Sequence, residues 1–167
     1  SDIKDISVSD NIAYLARGDL GLAIIDLSDP TTPLELDGFS GGSFEAVEAA
    51  TPFLYSVGKN NSSQSHQTTG IEFNFADFSL WGINPTNAPV LLTRVNYDGG
   101  IETEPEYFNK PKIILNDSYI YLTLVNFLNK PNFELGEDVY VMQFQAPFTV
   151  TPVNQLNIML RSDLGGL

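Results

Sequence analysis

The chain has 167 residues, with 8 basic and 21 acidic side chains and a formal net charge of −13. It has no cysteine and one histidine, which excludes disulfides, cysteine-ligated zinc and multi-histidine metal sites within it. The acidic balance excludes electrostatic binding of nucleic acid or anionic membrane, which needs a basic surface, and no run of about 18 apolar residues offers a transmembrane helix.

The opening Ser1-Asp2-Ile3-Lys4-Asp5 has neither signal-peptide nor transit-peptide character and is expected to be a mature or trimmed end. No later stretch keeps a helical period. Short apolar runs broken by Gly, Pro, Asn and Asp predict many short strands. Ile6-Ser7-Val8 and Ala13-Tyr14-Leu15 flank the breaker Ser9-Asp10-Asn11 as a hairpin, strands A and B. Leu22-Ala23-Ile24-Ile25-Asp26-Leu27, a two-proline turn over 28–33, and Leu34-Glu35-Leu36 then form strands C and D.

The same phrase returns twice. Val47-Glu48-Ala49 pairs with Leu54-Tyr55-Ser56, and Phe78-Ser79-Leu80-Trp81-Gly82-Ile83 with Val90-Leu91-Leu92 across Pro85 and Pro89. Ile113-Ile114-Leu115 pairs with Ile120-Tyr121-Leu122, and Val139-Tyr140-Val141-Met142-Gln143-Phe144 with Val153-Asn154-Gln155-Leu156 across Pro147 and Pro152. In each unit the tyrosine (Tyr14, Tyr55, Tyr121) stands at one repeat position, which assigns it a structural role first. Proline lacks an N–H and has a locked φ, so it suits a turn or a strand's first residue. The chain therefore reads as an all-β protein of three four-stranded antiparallel blade-like meanders, over about 1–41, 42–100 and 101–160.

Unit one resembles the LVIVD repeat, a β-propeller blade of bacterial and archaeal surface proteins. The resemblance is carried by Ala13-Tyr14-Leu15-Ala16, by Gly21 through the run Leu22-Ala23-Ile24-Ile25-Asp26-Leu27-Ser28-Asp29-Pro30, and by Pro33. Units two and three keep the tyrosine and the prolines. The resemblance implies a blade fold and a cell-surface or extracellular setting, and it transfers no catalytic residue. Closed propellers use about four to eight blades, and open sheet edges are pairing templates. Three arrangements are open: a piece of a longer propeller, copies that complete a ring or filament, or a closed threefold fold such as a β-trefoil.

The long insertions over 59–69, 98–111 and 126–137 all emerge at one end of the strands, between B and C or between D and the next A. Ordered loops on a rigid scaffold are where binding concentrates. That end is acidic, and Asp98, Glu102, Glu104, Glu106, Glu137 and Asp138 are candidate calcium ligands, since Ca²⁺ takes six to eight oxygens. Tyr107, Phe108, Phe127 and Phe133 are candidate ligand-face aromatics. His66, alone in a polar loop, is read as an exposed loop residue. Arg17-Gly18-Asp19 spells the cell-attachment tripeptide but is also good hairpin chemistry. Trp81 and Phe78 are read as core.

The expected role is a non-enzymatic structural or adhesive module of a surface or secreted protein, needing no cofactor. It would bind a protein or glycan through these loops, or further blades or copies, with no nucleic acid and no membrane insertion. Two alternatives are a calcium-dependent carbohydrate-active propeller enzyme and a subunit that self-assembles through open sheet edges.

Overall fold

A computed structural model describes residues 3–65, 72–84, 87–102, 111–116, 119–126, 136–145 and 149–159. Every regular element among them is a strand, and neighbouring strands pair antiparallel. The first sheet is β1(Asp5–Ser9), β2(Ile12–Ala16), β3(Leu22–Asp26) and β4(Leu34–Phe39), in that order. The second meander is β5(Ala46–Ala50), β6(Phe53–Ser65), β7(Glu72–Asn84) and β8(Asn87–Glu102). The third is β9(Lys112–Asn116), β10(Tyr119–Asn126), β11(Gly136–Gln145) and β12(Thr149–Met159). One residue pair, Val125 with Gly100, links β10 to β8. None of these sheets closes into a barrel among the described residues, which is the blade expectation rather than the β-trefoil one.

Local chemistry sets the turns of unit one. Asp10 and Asn11 take positive φ, 49° and 61°, between the closing pair Ser9 and Ile12. This is the two-residue hairpin geometry that Asn and Asp tolerate best after glycine. In the β3–β4 turn, Asp29 accepts hydrogen bonds from the Thr31 N–H (2.9 Å), the Thr31 hydroxyl (2.6 Å) and the Thr32 hydroxyl (2.8 Å). Asp26 accepts from the Ser28 N–H at 2.7 Å.

The core lies between the sheets. Period-two alternation gives each blade two faces. On the first sheet, Tyr14 and Ile24 face the second and pack with Val47, Leu54 and Trp81. On the second, Tyr55, Phe78 and Leu80 face the third and pack with Ile120, Leu122 and Met142. The repeated tyrosine is thus a joint residue: Tyr14 fills the first interface and Tyr55 the second. Phe39, Phe44 and Trp81 meet with ring centroids 5.1–5.9 Å apart.

The innermost strands are joined by side chains. The N–H groups of Val47, Ala49 and Thr51 donate to Asp5 Oδ2 (3.0 Å), Ser7 Oγ (2.9 Å) and Ser9 Oγ (3.4 Å). The edge of β5 that β6 leaves free is therefore capped by β1, a direct answer to the hazard of an open strand edge.

Four strand boundaries differ from expectation. Strand C of unit two begins at Glu72, not Phe78, and strand B runs to Ser65, so much of the 59–69 insertion is an elongated hairpin. Likewise Asp98 to Glu102 belong to β8, and Gly136 to Asp138 to β11. Phe73 and Phe75 alternate with Glu72 and Asn74, a strand period at the start of β7. The Ser- and Asn-rich partner segment masks it, because backbone pairing there does not need apolar side chains. A bulge between Lys59 and Ser63 absorbs the irregular register.

Candidate functional site

On the face of the second blade that meets the first, chemistry changes along the strands. One cross-strand row, Ala49, Leu54, Trp81 and Leu91, is apolar. The next row toward the β6–β7 end is Val47, Ser56, Ser79 and Arg94, and beyond it Gly58 pairs with Asp77. Where the polar rows begin, a cleft of about 850 Å³ opens between the second blade and the β4–β5 connection. Ser40, Gly41, Gly42 and Ser43 form one wall, and Asp19 of the β2–β3 connection reaches its rim.

Its charges are already paired. Lys59 Nζ lies 3.2 Å from Glu45 Oε1 and 3.8 Å from Asp19 Oδ2. Arg94 Nε donates to Ser79 Oγ at 3.2 Å and lies 3.9 Å from Asp77 Oδ2. Asn60 Nδ2 donates to Asp77 Oδ1 at 3.2 Å. At the base, Trp81 Nε1 donates to Ser56 Oγ at 2.8 Å, so the indole is fixed by both packing and a hydrogen bond. Ser43 Oγ is buried and makes no hydrogen bond among the described residues. Gly58 shapes the wall: a Cβ there would collide with the Ser43 carbonyl.

None of the sequence-derived calcium-ligand or ligand-face candidates is among the described residues that line the cleft. Asp98, Glu102, Glu137 and Asp138 have described backbone in β8 and β11. The register sets Glu137 opposite Val125, and Val125 opposite Gly100, which brings these strand ends together. Glu104, Glu106, Tyr107, Phe108, Phe127, Phe133 and His66 lie outside the described residues. Among the described residues no cluster of three or more His, Asp or Glu could hold a metal ion.

Arg17-Gly18-Asp19 is a tether between blades. Gly18, at φ +57°, is buried and exchanges two backbone hydrogen bonds with Phe44 at 2.8 and 3.0 Å. Trp81 and Phe78 are buried core, as expected. Of the cleft residues, those that stood out in the sequence were Asp19, in the tripeptide, Lys59 and Asn60, in the 59–69 insertion, and Trp81, as core. The available signal was Ser56 and Gly58, Asp77 and Ser79 at alternate strand positions next to Trp81, with the small-residue run Ser40-Gly41-Gly42-Ser43.

The first sheet, with its Asp10-Asn11 hairpin, buried Tyr14 and Asp29-Pro30 turn, is a blade by geometry as well as by pattern. Residues 2–39 match the LVIVD repeat. A comparison with curated proteins finds no match to the chain. The LVIVD match ends at Phe39, so the cleft is built where the LVIVD-like blade meets the second meander, with its wall just past the matched segment.

Proposed function

We propose that the chain is a non-enzymatic structural and binding module of a β-propeller-type repeat protein, secreted or held at a cell surface. Its blades continue into further blades or copies, and the end carrying the β2–β3, β4–β5 and β6–β7 connections takes a protein or glycan partner. One observation carries this reading. Val47 and Ala49, on the second blade's face toward the first, are 2 % and 9 % exposed; Ile6 and Val8, their repeat equivalents, are 56 % and 54 % exposed. The first blade thus has joint chemistry on a face that no sheet among the described residues covers. Ile114 on the third blade, 57 % exposed, shares its cross-strand row with Tyr121 and Val141. Apolar sheet faces of this kind mark interaction surfaces.

The test is particle mass by light scattering over a concentration series, for the native protein and for Ile6→Glu/Val8→Glu. A particle heavier than the 18.4 kDa chain, reduced in mass by the double variant, is the expected result. A monomer of 18.4 kDa at every concentration, unaffected by both charges, would overturn the reading.

A further inference from the structure

We infer that the cleft between the first and second blades is a binding site for a neutral, hydroxyl-rich ligand, a short uncharged glycan. The inference rests on the reading above that this end takes a partner, and it names the ligand chemistry and the residues.

Size comes first. About 850 Å³ lies within the roughly 300–1,000 Å³ of small-ligand sites. Charge comes second. Both cations are held by carboxylates of the protein, Lys59 by Glu45 and Asp19, and Arg94 by Asp77. An anionic ligand would meet the Glu45, Asp19 and Asp77 carboxylates that already neutralise these cations, in a chain of net charge −13. A cationic ligand would compete with a lysine and an arginine already in place. A neutral ligand disturbs neither pair and can accept from the ammonium or guanidinium while donating to the carboxylate oxygens.

The third argument is the hydrogen-bonding inventory. The described walls offer hydroxyls and small residues over a tryptophan base, with no Leu, Ile or Val among them. Ser43 Oγ is buried without a partner among the described residues, and such groups are rare unless something else satisfies them. A ligand hydroxyl, donor and acceptor at once, is suited to that position. Gly42 leaves the wall open: a Cβ there meets nothing nearer than Phe44 Cε2 at 3.8 Å.

The chain has a single tryptophan, and it forms the cleft base, so its fluorescence reports on this site. The probes are neutral tetrasaccharides of β-1,4-linked glucose and galactose, with a sialylated trisaccharide as the anionic control. A saturable change in Trp81 emission is expected with a neutral probe, and at least about tenfold weaker binding of the sialylated one. Ser43→Ala should weaken binding by about fivefold or more without lowering the melting temperature, because the lost hydroxyl has no partner among the described residues. Gly42→Gln should abolish binding while the protein stays folded. Three results would overturn the inference: no saturable response to any neutral probe, affinity unchanged in both variants, or tighter binding of the sialylated control. Glycan capture by the protein with Trp81 silent would sink this site and leave the partner reading standing. The light-scattering result judges the blade assembly independently of all of them.

Discussion

Ser7 Oγ on β1 accepts the Ala49 N–H of β5 at 2.9 Å, across 42 residues of chain. Asp5 and Ser9 make the same contact to Val47 and Thr51 at the same separation. The polar residues at alternate positions of Asp5-Ile6-Ser7-Val8-Ser9 are thus caps for the neighbouring blade's edge rather than solvated side chains. Ser7→Ala would leave the Ala49 N–H buried and unpaired. The expected loss is about 1–3 kcal/mol, read from urea unfolding. A loss near zero would mean that the joint does not depend on this cap.

The tyrosine position offers an internal comparison. Tyr14 is buried against the second blade, whereas Tyr121, at the same repeat position, is only half-buried. Tyr14→Ala should cost about 3–5 kcal/mol, the range for deleting a buried ring. Tyr121→Ala should cost well under half of that in the same unfolding assay. Equal losses would show that a covering surface reaches Tyr121 in solution.

Two glycines have opposite tolerance. At Gly58 a Cβ runs into the Ser43 carbonyl, a backbone atom that cannot swing away. Gly58→Ala should destabilise by at least about 3 kcal/mol, the upper range for overpacking. Gly42→Ala, whose Cβ would make only an ordinary contact with Phe44 at 3.8 Å, should stay within about 0.5 kcal/mol. Thermal melts of the pair check the close approach of the β4–β5 connection to β6.

The pH response has two opposing parts. Burial, and then the nearby Asp5 carboxylate, push the Glu48 carboxyl above its ordinary range, and the Ser7 hydrogen bond offsets this only in part. The folded state therefore holds the Glu48 proton more tightly than the unfolded state. That contribution is fully present below the unfolded pKa and is lost as pH rises through the folded one. Glu48→Gln should raise the melting temperature at about pH 7, with the gain gone below about pH 4. Asp29 is the reverse case. Hydrogen bonds from Thr31 and Thr32 lower its pKa, so its contribution is present above the unfolded pKa and lost as pH falls through the lowered folded value. Asp29→Ala should lose stability at neutral pH and little in strong acid.

Strand number, hairpin positions and the repeated tyrosine were legible from residues alone. Each depends on local rules: alternation, turn residues with positive φ, and prolines where no N–H is needed. The elongated β6–β7 hairpin was not. Its polar half, Ser62-Ser63-Gln64-Ser65, carries no hydrophobic signal, and its pairing with Glu72, Phe73 and Asn74 is a matter of backbone hydrogen bonds.

The cleft was illegible for a different reason. Ser56 and Ser79 are 23 positions apart in sequence yet paired in register, and Ser43 joins them in the cleft lining where Gly58 permits the close approach of the β4–β5 connection. By itself, the amino-acid sequence determined an acidic, cysteine-free, all-β chain of blade-like units, because composition and short-range periodicity are properties of neighbours in the chain. Which faces are covered, which charges are already paired and where the apolar joint gives way to a polar cleft were decided only by tertiary packing. Burial and charge pairing depend on residues that meet from different blades, and no local pattern records that meeting.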